Sequence, residues 1–296
     1  MLQDIEPNQF RNEFENKEPK DFDFVLIFKE DLVLLKNDET ALEIPRFDDF
    51  EEKVKIQKNA VYLFSINNES YFLAAPSVGK DLESGERFEY KKMRGVLTDA
   101  AKTQAFACAT AFHLSKWYST RQFCGRCGEK TTHKNDERAV ICPNCHLTEY
   151  PKISPVVIVG IKNGEDLLMT KYTTAASEYR NYALVAGFVE IGETLENAVR
   201  REVLEEVGVH VKNITYYKSQ PWGLSESLLA GFFADLDGDS TLRLDDKELS
   251  EAVWVPRTEI PEVDSLMSLT GNMIEAFRSG KYQMNNRTIK NKSANK

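Results

Sequence analysis

Two short motifs, Cys124-Gly-Arg-Cys127 and Cys142-Pro-Asn-Cys145, stand fourteen residues apart and set the first constraint on this chain. Each C-x-x-C turn presents two sulfurs to one ion, and zinc favours four thiolates in a tetrahedron. A redox dithiol needs only one such pair, so the doubled pattern at ribbon spacing predicts a zinc site held by Cys124, Cys127, Cys142 and Cys145. Four thiolates leave the ion closed to water, which makes it a structural staple. His133 and His146 lie close by, but the complete cysteine set leaves them no ligand role. The fifth cysteine, Cys108, falls in an apolar run and reads as packing.

The 296-residue chain is 42% apolar, enough to bury a sizeable core, and its length suggests two or three domains. No stretch approaches the roughly 20 apolar residues that span a bilayer, and Met1–Gln9, with Asp4 and Glu6, lacks a signal-peptide pattern. A cytoplasmic location with no membrane partner is therefore expected, a setting in which paired cysteines bind metal rather than form disulfides. The net charge of −9 argues against a broad electrostatic grip on nucleic acid and for a small substrate.

Periodicity divides the chain. Residues 1–98 carry short apolar or alternating runs (Phe24–Phe28, Leu32–Leu35, Val61–Ile66, Tyr71–Ala74) between charged turns, which predicts a β-rich N-terminal domain without evident chemistry. Residues 99–121 bring Ala105, Cys108, Ala109, Phe112 and Trp117 to near-helical spacing and predict a connecting helix. The ribbon occupies 122–150. Residues 151–282 predict a compact α/β domain. It opens with a hairpin at Asn163-Gly164 and continues with a strand at Tyr182–Val185 and a helix from Thr194 to Val207. Strands near Val211–Tyr217, Leu228–Leu236 and Ala252–Val255 follow, and a helix around Leu266–Ser279 closes it. The polar, basic residues 283–296 read as a solvated tail.

The chemistry concentrates between Gly187 and Val209. Leu195, Val199, Val203 and Val207 make one buried helical stripe, while Glu202, Glu205 and Glu206, spaced i, i+3, i+4, gather on a neighbouring face. Carboxylates crowded in this way repel by a few tenths of a kcal/mol per pair, a conflict that a bound cation removes. Hard oxygen ligands suit Mg²⁺ or Mn²⁺, ions that complete their shells with water and substrate phosphate, so the cluster predicts phosphate chemistry. Most glutamate-rich helices are only solvated faces. This one matches G-x5-E-x7-R-E-U-x-E-E-x-G-U (U aliphatic) at all nine defined positions, a chance event on the order of 10⁻⁷ in such a chain.

That segment resembles the signature of the Nudix hydrolase superfamily. The resemblance implies a Nudix α/β/α sandwich and, with the rest of the chain, an α+β fold in which a β-rich domain and a zinc ribbon precede the hydrolase domain. It further implies metal ligation by Glu202, Glu205 and Glu206, with Glu206 also helping to activate water. Arg201 and Glu193 would support these groups, and Gly187 and Gly208 would permit loop entry and helix exit. Downstream, Ser219-Gln-Pro-Trp-Gly-Leu-Ser-Glu-Ser227 is similar to SQPWPFPxS, the array of the NADH pyrophosphatase branch, with Gly223-Leu224-Ser225 in place of Pro-Phe-Pro. By that resemblance Gln220, Pro221, Trp222 and Ser227 contact substrate, Tyr150 and Phe188 sandwich a base, and Glu248, with Glu251 as competitor, reaches metal and phosphates. The implied reaction converts NADH or NAD to nicotinamide mononucleotide and AMP in a homodimer, and extends to NAD-capped RNA 5′ ends.

Two rivals are weighed against this expectation. A Nudix hydrolase for ADP-ribose or another nucleoside diphosphate derivative would ordinarily lack the ribbon and the Ser219–Ser227 array. A non-catalytic nucleotide-binding zinc-ribbon protein would have no need of all three glutamates.

Overall fold

The computed structural model describes residues 1–37, 42–82, 84–173, 182–262 and 267–282; the expected tail at 283–296 and the expected helix start at Leu266 lie outside them. The chain forms two compact units: Leu2–Ser154 with Pro221–Ser227, and Pro155–Gln220 with Leu228 onward and Met1.

In the unit that holds the N-terminal half, the predicted apolar runs become strands. These are β1 (Phe10–Arg11), β2 (Phe24–Leu26), β3 (Phe28–Lys29), β4 (Leu32–Asn37), β5 (Leu42–Glu43), β6 (Val61–Ile66), β7 (Glu69–Leu73) and β8 (Phe88–Lys92). One sheet has the order β1-β6-β7-β2, and in a second β4 lies between β3 and β5 and also pairs with β8. Consecutive strand residues are buried, so both faces are covered, and Val25, Ile27, Leu34, Phe47, Tyr62 and Phe72 belong to one core cluster. Short helices α1 (Lys53–Gln57), α2 (Pro76–Asp81) and α3 (Met93–Asp99) precede α4 (Lys102–Thr120), the connecting helix, which buries Ala105, Phe106, Cys108, Ala109, Phe112 and Trp117. The ribbon follows as three two-residue antiparallel strands, β9 (Thr132–His133), β10 (Val140–Ile141) and β11 (Thr148–Glu149), with β10 in the middle.

The other unit is built on a six-stranded sheet of β12 (Ser154–Asn163), β13 (Asp166–Tyr172), β14 (Val185–Phe188), β15 (His210–Trp222), β16 (Ser227–Asp237) and β17 (Leu249–Pro256). The central strand β12 sorts its side chains by parity. Val157, Val159 and Ile161 pack with Val199, Val203 and Val207 of helix α5 (Leu195–Val207), while Ile158 packs with Leu269, Met273 and Phe277 of helix α6 (Leu269–Arg278). A helix on each face of one sheet is the α/β/α sandwich expected above. Helix α5 starts where Thr194 accepts a hydrogen bond from the Asn197 amide at 3.2 Å, and ends at Gly208, whose φ of 72° suits a residue without a side chain.

One strand differs from expectation. The run at Tyr182–Val185 supplies only an isolated bridge between Ala183 and Thr170, and the strand proper is Val185–Phe188, paired antiparallel with β12 from Val159↔Val185 to Val156↔Phe188. Gly187, expected to permit loop entry, lies inside this strand.

Candidate active site and zinc centre

Helix α5 turns Glu202 and Glu206 inward, 9% and 2% exposed, beside the valines that anchor it to the sheet. Glu205 faces outward at the rim, its side chain 59% exposed. The glutamates therefore do not share one surface, and a single network draws Glu202 and Glu205 together. Arg201 Nη1 donates to Glu202 Oε1 at 2.7 Å and Glu205 Oε2 at 3.0 Å, Nε and Nη2 clasp Glu193 at 3.0 and 2.8 Å, and Nη2 also reaches the Phe188 carbonyl at 2.9 Å. The Arg201 bonds, aided by the Glu190 amide, hold the Glu193 carboxyl below its ordinary range. Arg201 thus ties Glu193 to Glu202 and Glu205.

Gly187 serves a different purpose from the loop entry expected of it. It sits in β14, and a Cβ built there would lie 1.9 Å from Glu202 Cδ, so the missing side chain is the space the Glu202 carboxylate fills. Any larger residue would expel Glu202 from its place beside Glu206.

Both Glu206 oxygens are buried and have no hydrogen-bond partner among the described residues; the Ala186 amide, which favours the charged form, falls short of a bond. Burial, followed by the charges of Glu202 and Glu248, pushes the Glu206 carboxyl up to about 8. Burial also raises Glu202, against the pull of Arg201. An orphaned carboxylate beside other carboxylates is costly unless a cation or proton joins it, and an all-oxygen set suits a hard divalent ion. The donor chemistry of these residues suits such an ion.

Glu248 arrives by a loop docked on the end of α5: the Arg243 and Asp245 amides donate to the Val207 and Glu206 carbonyls at 2.9 and 3.0 Å, groups that a helix end leaves without partners. Its competitor is otherwise engaged, since Glu251 accepts from Lys171 Nζ at 2.6 Å and from the Tyr182 hydroxyl at 3.0 Å. Tyr172, the last residue of β13, is a further member of the cluster. Burial, then Glu206, Glu248 and Glu202, push its phenol far above the usual range, which keeps it a hydrogen-bond donor beside the carboxylates. No motif marks it.

In the ribbon the four Sγ atoms lie within 4.8 Å of one another, with Cys124–Cys145 at 3.5 Å and Cys127–Cys142 at 3.4 Å. A zinc tetrahedron with bonds near 2.3 Å places sulfurs about 3.8 Å apart, so the cluster has the size the ion requires. The Arg126 and Cys145 amides donate to Cys124 Sγ and Cys142 Sγ, each at 3.4 Å, and such bonds bring the Cys124 thiol down to about 7, toward the thiolate that binds metal.

The residues expected at substrate separate into two groups. Tyr150 and Phe188 are 58% and 56% exposed, Pro221 is exposed and Trp222 half-buried. Gln220 and Ser227, in contrast, are buried. The Gln220 amide donates to the Met267 carbonyl at 2.8 Å and accepts from the Leu269 amide at 2.6 Å, which fixes the start of α6, and Ser227 pairs with Ser225 at 2.7 Å. Both side chains are engaged within the fold, where the expectation had them contacting substrate.

Three family models match the chain in order: an NADH pyrophosphatase-like rudimentary NUDIX domain at residues 23–117, an NADH pyrophosphatase zinc ribbon domain at 119–150 and a NUDIX domain at 152–277. A protein of Haemophilus influenzae named NAD-capped RNA hydrolase NudC is 34% identical over 251 residues, 76% of this chain and 93% of that one. The chain belongs to this NADH pyrophosphatase family of Nudix hydrolases. A protein of the same name from Mannheimia succiniciproducens is 42% identical over 158 residues, 50% of this chain and 59% of that one. The chain is also similar to a solved Nudix hydrolase from Nitrosomonas europaea, 24% identical, in a match that covers 54% of this chain and 92% of that one with a TM-score of 0.46.

Family membership makes the protein a metal-dependent enzyme with a zinc ribbon, and it corrects one omission. The N-terminal domain, read from sequence as a β-rich scaffold, is itself Nudix-like. It carries no glutamate signature, and that absence is why sequence reasoning missed it. Among the described residues no helix is long and apolar enough to cross a membrane.

The Glu206 environment gives a pH-dependent prediction. Its folded value, about 8, exceeds the ordinary 4.5, so the metal-free folded state binds more protons than the unfolded chain between these values. The stability this group contributes is therefore complete below about pH 4.5 and is lost as pH rises through about 8. A divalent cation competes with that proton and replaces its effect. The rise in Tm on adding Mn²⁺ should accordingly be small at pH 5.5 and grow steadily to pH 8.5, as differential scanning fluorimetry can measure; a gain independent of pH would contradict the placement of the cation at Glu206.

Proposed function

We propose that this enzyme hydrolyses the central diphosphate of NADH and NAD, releasing reduced or oxidised nicotinamide mononucleotide and AMP, and cuts the same bond in NAD-capped RNA. The observation that carries this reading is the unpartnered, buried Glu206 carboxylate beside Glu202 and Glu248 in a chain with the three-part organisation of the NADH pyrophosphatases.

Glu202, Glu206 and Glu248, with Glu205 at the rim, would hold Mg²⁺ or Mn²⁺. When bound, the ion offsets charge on the diphosphate and lowers the pKa of water. Glu206, a buried carboxylate without a hydrogen-bond partner among the described residues, would also help to activate the attacking water. Arg201 keeps Glu202 and Glu205 from swinging apart, and Gly187 gives Glu202 its room. The exposed rings of Tyr150 and Phe188 and the half-buried ring of Trp222 are each a flat surface on which a base can stack, such a contact being worth about 1–3 kcal/mol. The homodimer implied by the resemblance belongs to the same reading.

A Mn²⁺ or Mg²⁺ assay offering NADH, NAD, ADP-ribose, diadenosine diphosphate and NAD-capped RNA, with products identified by mass, tests it. Mononucleotide and AMP from NADH are the expected products. Cleavage of ADP-ribose with NADH left intact would sink the proposal.

A further inference from the structure

The segment that replaces Pro-Phe-Pro lacks the two rings that would fix its backbone, and its first residue is a glycine, the least restrained of all. It nevertheless adopts one turn of 3₁₀ helix, Gly223–Ser225, followed by Glu226 in the left-handed region at φ 53°. Its order comes from helix α4. A Cβ built at Gly223 would lie 2.0 Å from the Ala109 carbonyl oxygen, so the loop backbone rests directly on the helix where neither proline nor any other side chain fits. One helical turn later, His113 Nε2 donates to the Lys152 carbonyl at 2.7 Å, and Lys116 Nζ, which also lies over the Phe112 ring, donates to the Leu224 carbonyl at 3.2 Å. Ala109, His113 and Lys116 are spaced i, i+4, i+7 and form one face of α4.

Two carbonyls are gripped, and each stands two residues beyond an aromatic assigned to substrate above: Lys152 follows Tyr150, and Leu224 follows Trp222. We infer that this face of α4 is a seat that sets the placement of the Tyr150 and Trp222 segments, with Lys116 and His113 as positioning residues and Gly223 as the position that admits the close approach. The inference rests on the reading that these segments meet the dinucleotide. It explains how the loop keeps its shape without the family's prolines: a lysine–carbonyl bond and direct backbone contact replace ring rigidity.

A positioning role outside the reacting atoms moves KM and leaves kcat in place. In the full-length protein with Mn²⁺, Lys116→Met is expected to raise KM for NADH about tenfold with kcat within about twofold of wild type. Mn²⁺ binding, read by electron paramagnetic resonance, should be unchanged, and Lys116→Arg, which keeps a donor of similar reach, should restore KM. Gly223→Ala should raise KM through the Ala109 clash. Lys116→Gln provides the same measurement should the methionine variant not fold. An unchanged KM in the Lys116 variants, or an arginine variant as impaired as the methionine one, would overturn the inference. Wild-type protein that leaves NADH uncut would instead overturn the substrate reading beneath it, so the two failures are distinguishable.

Discussion

Glu206→Gln should lower kcat for NADH hydrolysis by about 10³-fold or more while leaving the fold intact. Glutamine matches glutamate in shape but cannot bear the negative charge that binds a cation or accepts a proton. The site makes that charge hard to replace. Both oxygens are buried without a partner among the described residues, and the neighbours whose charges act on the group, Glu202 and Glu248, are themselves acidic. The same features predict the stability result. In the metal-free protein near neutral pH Glu206 is largely protonated, because its carboxyl is pushed up to about 8, and a neutral amide in its place removes no ion pair. The Tm of the metal-free variant should therefore equal or exceed that of wild type, whereas the Tm gain on adding Mn²⁺ should shrink.

Glu205→Gln makes the informative comparison, because Glu205 stands at the rim on Arg201 and its loss leaves the buried pair in place. A smaller loss of kcat is expected there. Steady-state kinetics, circular dichroism and metal titration of the two variants decide the matter. Wild-type-like turnover in Glu206→Gln would remove that residue from the mechanism, and equal losses in both variants would show that the buried carboxylate holds no special place.

How much of this was legible in the sequence depended on whether a feature is local. Helix α5 was readable from Thr194 to Gly208, since the cap, the valine stripe and the terminal glycine all act within a few residues of one another. The four cysteines were readable because a C-x-x-C turn is a short-range geometry. Gly187 was misread for the opposite reason: its role is to leave space for Glu202, fifteen positions away in sequence, and nothing nearby records that approach. Gln220 shows the same limit. Its motif named it as a substrate contact, but its bonds to Met267 and Leu269 depend on where α6 begins. Tyr172 joins the glutamates only because β13 ends beside the loop that carries Glu248; the Thr173 amide donates to the Glu248 carbonyl at 2.9 Å. That Lys171 and Tyr182 hold Glu251, the competitor of Glu248, depends likewise on strands and a loop remote in sequence.

Replacing Cys142 by serine, or withdrawing zinc with a strong chelator, should lower Tm on the order of 10 °C and abolish hydrogen-exchange protection across the ribbon. Apart from ties such as Arg138 to the Asn12 carbonyl and His133 stacked on Tyr118, the ribbon has a very small core of its own. Its strands are two residues long, and its buried groups are Ala139, Val140 and the sulfur-bearing Cys124 and Cys142. A segment of that size cannot offset the entropy of ordering its own backbone by apolar burial, so metal binding and folding are one event. Cys142 is the most informative position, because it is fully buried, lies 3.4 Å from Cys127 Sγ and accepts from the Cys145 amide. Serine keeps the volume but gives a hydroxyl that stays protonated and binds zinc poorly. Tyr150 leaves the ribbon directly after β11, so the kinetic consequence should appear first as a raised KM, with kcat changed less. Metal analysis should find about one zinc per chain in wild type and less in the variant. Undiminished exchange protection in zinc-free protein would mean that the peptide alone holds the ribbon, and the four thiols would then need another explanation.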